Sequence, residues 1–110
     1  MPEYLIAHDL GTSGNKATLF ATDGRLVRAE TYAYATRYPG GGRAEQDPRD
    51  WWDAVRLTTR RLLAGVDKRD VLAVSFSGQM MGCLCVDKYG LPLRDCLIWA
   101  DTRSIAEEDC

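Results

Sequence analysis

"HDLGTSGNKATLF", residues His8–Phe20, decides how this chain is read. An apolar run, Tyr4 to Ala7, leads to Asp9; then come Leu10-Gly11-Thr12-Ser13-Gly14, and apolar residues resume at Ala17. An ordinary β-hairpin closes with two residues. This connection uses more, most of them small and rich in backbone N–H or hydroxyl donors. Glycine at positions 11 and 14 lets the backbone bend without a Cβ penalty. Such a bend can aim successive N–H groups into one concavity that attracts phosphate oxygens. Thr12 and Ser13 add hydroxyl donors, Lys16 adds a positive charge, and Asp9 is an acceptor suited to a hydrated Mg²⁺. Read this way, the turn is a phosphate cradle and the acid carries the metal. On the residues alone, a plain glycine-rich hairpin is the alternative. Walker and dinucleotide loops fit poorly, because both run into a helix and here a strand follows.

On either side of this stretch, Tyr4–Ala7 is a first strand, Lys16–Thr22 a second and Leu26–Tyr34 a third, with a hairpin at Asp23-Gly24. This is an antiparallel meander. The loop "YPGGGRAEQDP" breaks regular structure. Asp47-Pro48 then starts a helix, with Asp47 as cap, Pro48 in the first position and Asp50 near the positive end of the dipole. Trp51, Val55, Thr59, Leu62 and Leu63 form its apolar stripe, and Gly65 marks its end. Trp51 and Trp52 read as core or interface packing.

Val71–Phe76 is a compact β-favouring run, expected as a buried strand parallel to the first after the crossover helix. Cys83–Val86 and Leu91–Ile98 are expected as two more strands about a Lys88-Tyr89-Gly90 turn. Ser104-Ile-Ala-Glu107 has the form of a capping box, and the chain stops at Cys110. A helix so short cannot stand alone, so the chain reads as the front end of a longer protein.

Composition bounds the rest. The 110 residues carry a net charge of −2, 45% hydrophobic and 27% charged residues, and 14 Lys and Arg spread along the chain. Nothing points to nucleic acid or an anionic membrane surface. No apolar run approaches the roughly 20 residues of a membrane helix, and the Met-Pro-Glu-Tyr start lacks the features of a signal peptide. The cytoplasm is the expected compartment. Cys83, Cys85, Cys96 and Cys110 then read as reduced thiols, with Cys83 and Cys85 sharing one strand face as suits buried thiols. A thiol-based metal site lacks further soft ligands, since His8 is the sole histidine.

"DLGTSGNKATLFATDG", "AEQDPRDWW", "SFSGQMMG" and "IWADTRS" occur in the order and spacing of the FGGY carbohydrate kinases. The chain resembles that family over essentially its whole length, its xylulokinase-like members most closely. The resemblance implies an α/β fold related to actin, hexokinase and Hsp70 (ribonuclease H-like), of which residues 1–110 would be the first part of the N-terminal domain. It implies transfer of the γ-phosphoryl group of ATP to a sugar hydroxyl, with Mg²⁺. Asp9 would position the metal; Gly11, Thr12, Ser13 and Lys16 would form the nucleotide side. Gln79, Met80, Met81 and Trp99 would form the sugar side, with Asp101 and Arg103 matching the same element as Trp99.

Two residues depart from the family pattern. Met81 stands where xylulokinases usually carry His, and a thioether accepts hydrogen bonds weakly and donates none. Ala100 stands where many members have Asn. Both departures open the substrate to xylulose, a related pentulose, a polyol or a sugar acid. The family's catalytic base is an Asp beyond residue 110, so the chain alone is expected to be inert as a kinase. The parent is expected to be a homodimer, and the isolated chain to self-associate. The competing functions are an actin- or chaperone-like ATPase switch and a non-catalytic binding module.

Overall fold

The computed structural model describes residues 2–108. Strands β1 (Tyr4–Leu10), β2 (Gly14–Ala21) and β3 (Leu26–Ala33) form the expected antiparallel meander. Gly24, with φ 93°, makes the β2–β3 turn, and the Asp23 carboxylate accepts from the Arg25 N–H at 2.9 Å. After the short strand β4 (Glu45–Gln46), helix α1 (Pro48–Leu62) carries the chain across the sheet. Strand β5 (Val71–Gly78) then pairs parallel to β1, giving the order β3-β2-β1-β5. The two-residue strand β6 (Cys96–Leu97) pairs with β4 in a second, small sheet.

Helix α1 begins where its sequence requires. The Asp47 carboxylate accepts from the Arg49 N–H at 2.9 Å, and Pro48 occupies the first turn. At its other end the Arg28 guanidinium, reaching from β3, donates to the carbonyls of Arg61, Leu62 and Ala64 at 3.1, 2.9 and 2.9 Å. Arg61 and Leu62 are among the last residues of the helix, whose carbonyls have no i+4 N–H within it. The buried stripe is Ala54, Thr58 and Leu62, so the face turned to the sheet is centred about one residue from the expected one. Trp52 lies in solvent and Trp51 is half-buried, so neither is a core residue.

The strand period of two sets the faces. Ile6, His8, Asn15, Ala17 and Leu19 are buried on the α1 side. Asp9 and Lys16, direct register partners, lie on the opposite face. The core is small: Ile6, Ala17, Leu19 and Leu62, with Tyr4, Val27, Leu63, Val66 and Val71 against it. Beside it lies a polar layer. The His8 ring meets the Asn15 amide nitrogen at 3.0 Å through Nδ1 and the Thr59 hydroxyl at 3.1 Å through Nε2, and stacks on Phe76 at 5.1 Å. Burial lowers the His8 pKa, an effect partly offset by the Asn15 hydrogen bond.

β5 corrects one expectation. It is an edge strand, and Leu72, Val74 and Phe76 are 56, 47 and 58% exposed. Its apolar pattern matches a buried strand, but α1 packs over β2 and β3 and leaves β5 uncovered. The molecule is accordingly elongated, 59 × 28 × 22 Å. Its radius of gyration is 17.1 Å, against about 13 Å for a compact chain of this length.

Residues 83–95 differ as well. The two expected strands reduce to isolated bridges at Cys83–Leu97 and Val86–Pro92, plus β6. The turn at Asp87–Gly90 is present, but Pro92 in the returning segment withholds a ladder donor, and β4 is only two residues long, so it pairs with the returning segment at Cys96–Leu97 alone. Cys83 and Cys85 are therefore exposed, while Cys96 is buried, its thiol pKa raised by that burial; Cys110 lies outside the described residues. Ser104 makes no side-chain cap, and only a 3-10 turn, Ile105–Glu107, follows it. Among the described residues no helix is long and apolar enough to cross a membrane.

Candidate functional site

Asp9 sits near the end of β1 with its side chain exposed, flanked by Lys16 on β2 and Ser77 on β5. The turn that follows is closed by the Gly11 N–H donating to the Gly14 carbonyl at 3.0 Å. Neither glycine has positive φ, so the bend does not need their conformational freedom. Gly14 is required for another reason: a Cβ there would lie 2.7 Å from the Tyr32 carbonyl oxygen and 3.0 Å from the Ala33 Cα. A Cβ on Gly11 would meet only the Gly14 carbonyl at 3.5 Å, an ordinary contact.

Tyr34, buried at the end of β3, donates its phenol to the Gly11 carbonyl and so anchors the turn from below. Its pKa is pushed up to about 12, first by burial and then by the negative charge of Asp9. The phenol therefore stays protonated and donating throughout the neutral range. In the sequence alone, Tyr34 shows no role beyond closing a strand.

The turn is tied on its other side to segments far along the chain. The Trp99 indole donates to the Thr12 hydroxyl at 2.9 Å. The Thr12 hydroxyl in turn reaches the Gln79 side-chain oxygen at 3.5 Å, a long contact. Gln79 is further held by its own N–H donating to the Leu10 carbonyl at 2.8 Å. Between them lies Gln46, whose side-chain amide donates to the Thr12 carbonyl at 2.6 Å and to the Thr36 hydroxyl at 2.8 Å. Its oxygen accepts from the Trp51 indole at 2.9 Å and from the Gln79 amide at 2.7 Å. Gln46 is 1% exposed. It lies inside the "AEQDPRDWW" motif, which marked it as part of a pattern without saying what it touches.

Two cavities border this network. One, of ≈ 320 Å³, is lined by Leu10, Tyr34, Trp51, Phe76 and the Ser77–Gln79 segment. The other, of ≈ 260 Å³, is lined by Trp51, Gln79, Met80, Met81, Cys96 and Ile98 among others. Met80 and Met81 are 78 and 87% exposed, so they do not fill a core. Met81 has φ 67°, the left-handed region that a side chain such as methionine rarely enters. A larger polar cavity, ≈ 710 Å³, lies apart from the turn, between Gly40–Gly41 and Arg103–Ser104.

Asp101 is engaged rather than free. Its carboxylate accepts from the Ala44 N–H at 2.8 Å, the Arg103 N–H at 3.1 Å and the Arg103 guanidinium at 2.7–3.0 Å. Arg103 also reaches Glu45 at 2.5 Å, beside the 2.6 Å pair of Arg94 and Glu45. The Arg103 hydrogen bonds hold the Asp101 carboxyl well below the usual carboxylate range. This cluster fixes the loop that carries Trp99.

The turn therefore brings Thr12, Gln79 and Trp99 together, with Met80 and Met81 beside Gln79; Asp9, Ser13 and Lys16 are exposed, Asp9 between Lys16 and Ser77 on the neighbouring strands rather than in contact with that trio. The described residues hold no group of three or more His, Cys, Asp and Glu side chains able to enclose a metal. A single exposed carboxylate fits Mg²⁺, which keeps most of its waters and takes phosphate oxygens as further ligands.

The same segments recur in known proteins. The chain is 35% identical over 104 residues to a xylulose kinase of Staphylococcus xylosus and to a gluconokinase of Bacillus subtilis. Each alignment covers 94% of this chain, and 22% and 20% of those proteins, so the chain spans about a fifth of their length. The crystal structure of a gluconate kinase from Lactobacillus acidophilus superposes with a TM-score of 0.89 at 28% identity, over 98% of this chain and 22% of that one. The mixed sheet with its crossover helix is thus the actin/hexokinase-like fold of those kinases. Residues 4–110 match the model of the N-terminal domain of the FGGY family of carbohydrate kinases, and the chain belongs to that family.

Proposed function

We propose that the whole protein is an ATP-dependent carbohydrate kinase, cytoplasmic and dimeric, acting on xylulose or a related pentulose, polyol or sugar acid. The observation that carries this reading is the joining of Thr12, on the turn suited to phosphate, to Gln79 and Trp99, on the segments suited to sugar. A xylulose kinase and a gluconokinase are each 35% identical to the chain, which supports the reaction class and leaves the acceptor open among sugars and sugar acids.

In this reading the turn Gly11–Ser13 binds the β- and γ-phosphates through the N–H groups of Thr12 and Ser13 and the Ser13 hydroxyl; Gly11, whose N–H is used to close the turn, leaves room above it, and Lys16 adds positive charge. Asp9 holds Mg²⁺, which when bound neutralises charge on the phosphate oxygens. Trp99 offers its ring to the apolar face of the sugar, and Gln79, Met80 and Met81 shape the pocket around it. Asp101, through Arg103 and the Ala44 N–H, keeps the Trp99 loop in place. The acceptor hydroxyl oxygen forms the new P–O bond as the bond to the ADP bridging oxygen breaks, so catalysis is positioning and charge compensation. The base that takes the hydroxyl proton is assigned to no residue of this chain. Taken alone, the 110 residues are inert and associate through the uncovered face of β5.

ADP release by the full-length protein, measured against a panel of pentuloses, polyols and aldonic acids, tests the reading. Turnover that depends on one class of acceptor is expected. Hydrolysis at full rate without any sugar would mark an ATPase switch instead and overturn it.

A further inference from the structure

We propose that Gln46 is a positioning residue that holds the phosphate turn and the sugar-side segment in one fixed relation; this rests on the kinase reading above. Four bonds carry it. A glutamine side-chain amide offers two donor hydrogens and two acceptor lone pairs. Gln46 uses all of them, on Thr12, Thr36, Trp51 and Gln79. A buried amide saturated in this way has one orientation, because any rotation leaves several groups unpaired at once.

The distances show why the link runs through Gln46. Thr12 and Gln79 are 67 residues apart, and their direct side-chain contact is a weak 3.5 Å. Through Gln46 the same two residues are joined by bonds of 2.6 and 2.7 Å. Gln46 itself is held from both sides. Its backbone pairs with Cys96 in β6, and the next residue, Asp47, caps α1. The amide is thus mounted on rigid elements while its bonds reach into a turn and a loop.

A phosphoryl transfer needs the acceptor oxygen within a near-attack distance of the phosphorus and in line with the leaving group. Gln46 touches neither. It sets the relation between the two surfaces that hold them. Its loss therefore lowers kcat while leaving the separate affinities for ATP and sugar largely intact, a split that a merely structural role would not produce.

The test uses full-length protein with ¹⁵N-labelled tryptophan. Gln46→Met keeps length and approximate volume and removes every amide bond. Assayed where the variant is fully folded by circular dichroism, kcat should fall about a hundredfold, with the KM for ATP and for sugar each within about threefold of wild type. The Trp99 indole resonance should move, although Gln46 does not touch Trp99, while that of the exposed Trp52 stays in place. Trp51→Phe, which removes one of the four bonds and keeps a ring, should lower kcat about tenfold and decides the question if Gln46→Met does not fold. Folded variants with wild-type kcat, a loss confined to KM, or an unmoved Trp99 resonance would each overturn the assignment alone. Wild-type protein without sugar-dependent ADP release would overturn the kinase reading and this assignment with it.

Discussion

The indole of Trp99 donates to the hydroxyl of Thr12 at 2.9 Å, across 87 residues of sequence. One side chain belongs to the loop after β6 and the other to the turn after β1. The bond places the aromatic surface read as a sugar platform directly beside the turn read as a phosphate cradle.

Thr12→Val separates what this bond does for folding from what it does for function. Trp99 is 57% exposed, so its indole can donate to water once the hydroxyl is gone. The variant should lose less than about 1 kcal/mol of stability by urea denaturation. Its kcat/KM for ATP in the full-length protein should nonetheless fall by about tenfold or more. A large loss of stability would show the bond to be chiefly structural.

Gly14→Ala and Gly11→Ala should behave in opposite ways. A Cβ on Gly14 would lie 2.7 Å from a β3 carbonyl, and backbone there must shift. A cost of about 1–3 kcal/mol is expected, read as a lower melting temperature. A Cβ on Gly11 meets nothing closer than 3.5 Å, so that variant should melt like wild type. If it also loses ATP affinity, the space above Gly11 is kept for phosphate. Equal melting of both variants would contradict the close approach of the turn to β3.

Met81 holds a left-handed backbone at φ 67°. Asparagine enters that region at lower cost, and Met81→Asn should raise stability by about 1 kcal/mol. Because the methionine side chain is 87% exposed, little packing is lost in exchange. Differential scanning calorimetry reads the shift; an unchanged or lower melting temperature counts against strain at this position.

Acid should loosen the Trp99 loop. The Asp101 carboxyl is held below its ordinary value of 3.8, first by the Arg103 hydrogen bonds. A carboxylate with a depressed folded pKa adds stability that is complete above the unfolded value and is lost as pH falls through the folded one. Wild type should therefore lose stability below about pH 4, and Asp101→Asn should flatten that limb. Urea midpoints between pH 2 and pH 6 check this; parallel limbs in the two proteins would show that Asp101 is not responsible.

The features legible in the amino-acid order are local. Asp23-Gly24 specifies its hairpin, Asp47-Pro48 starts α1, and the alternation in β1 and β2 places Asp9 and Lys16 on one face, because each depends on neighbours a few residues away. Packing in three dimensions is what makes Gln46 join four segments and Tyr34 prop the turn, and what makes Gly14 a glycine, because β3 passes close by. Packing also decided that β5, apolar enough for a core, lies bare beside α1. The physical reason is the same in each case. A side chain's partners across tens of residues, and the presence or absence of a covering layer, leave no periodic trace in the strand or loop that bears it.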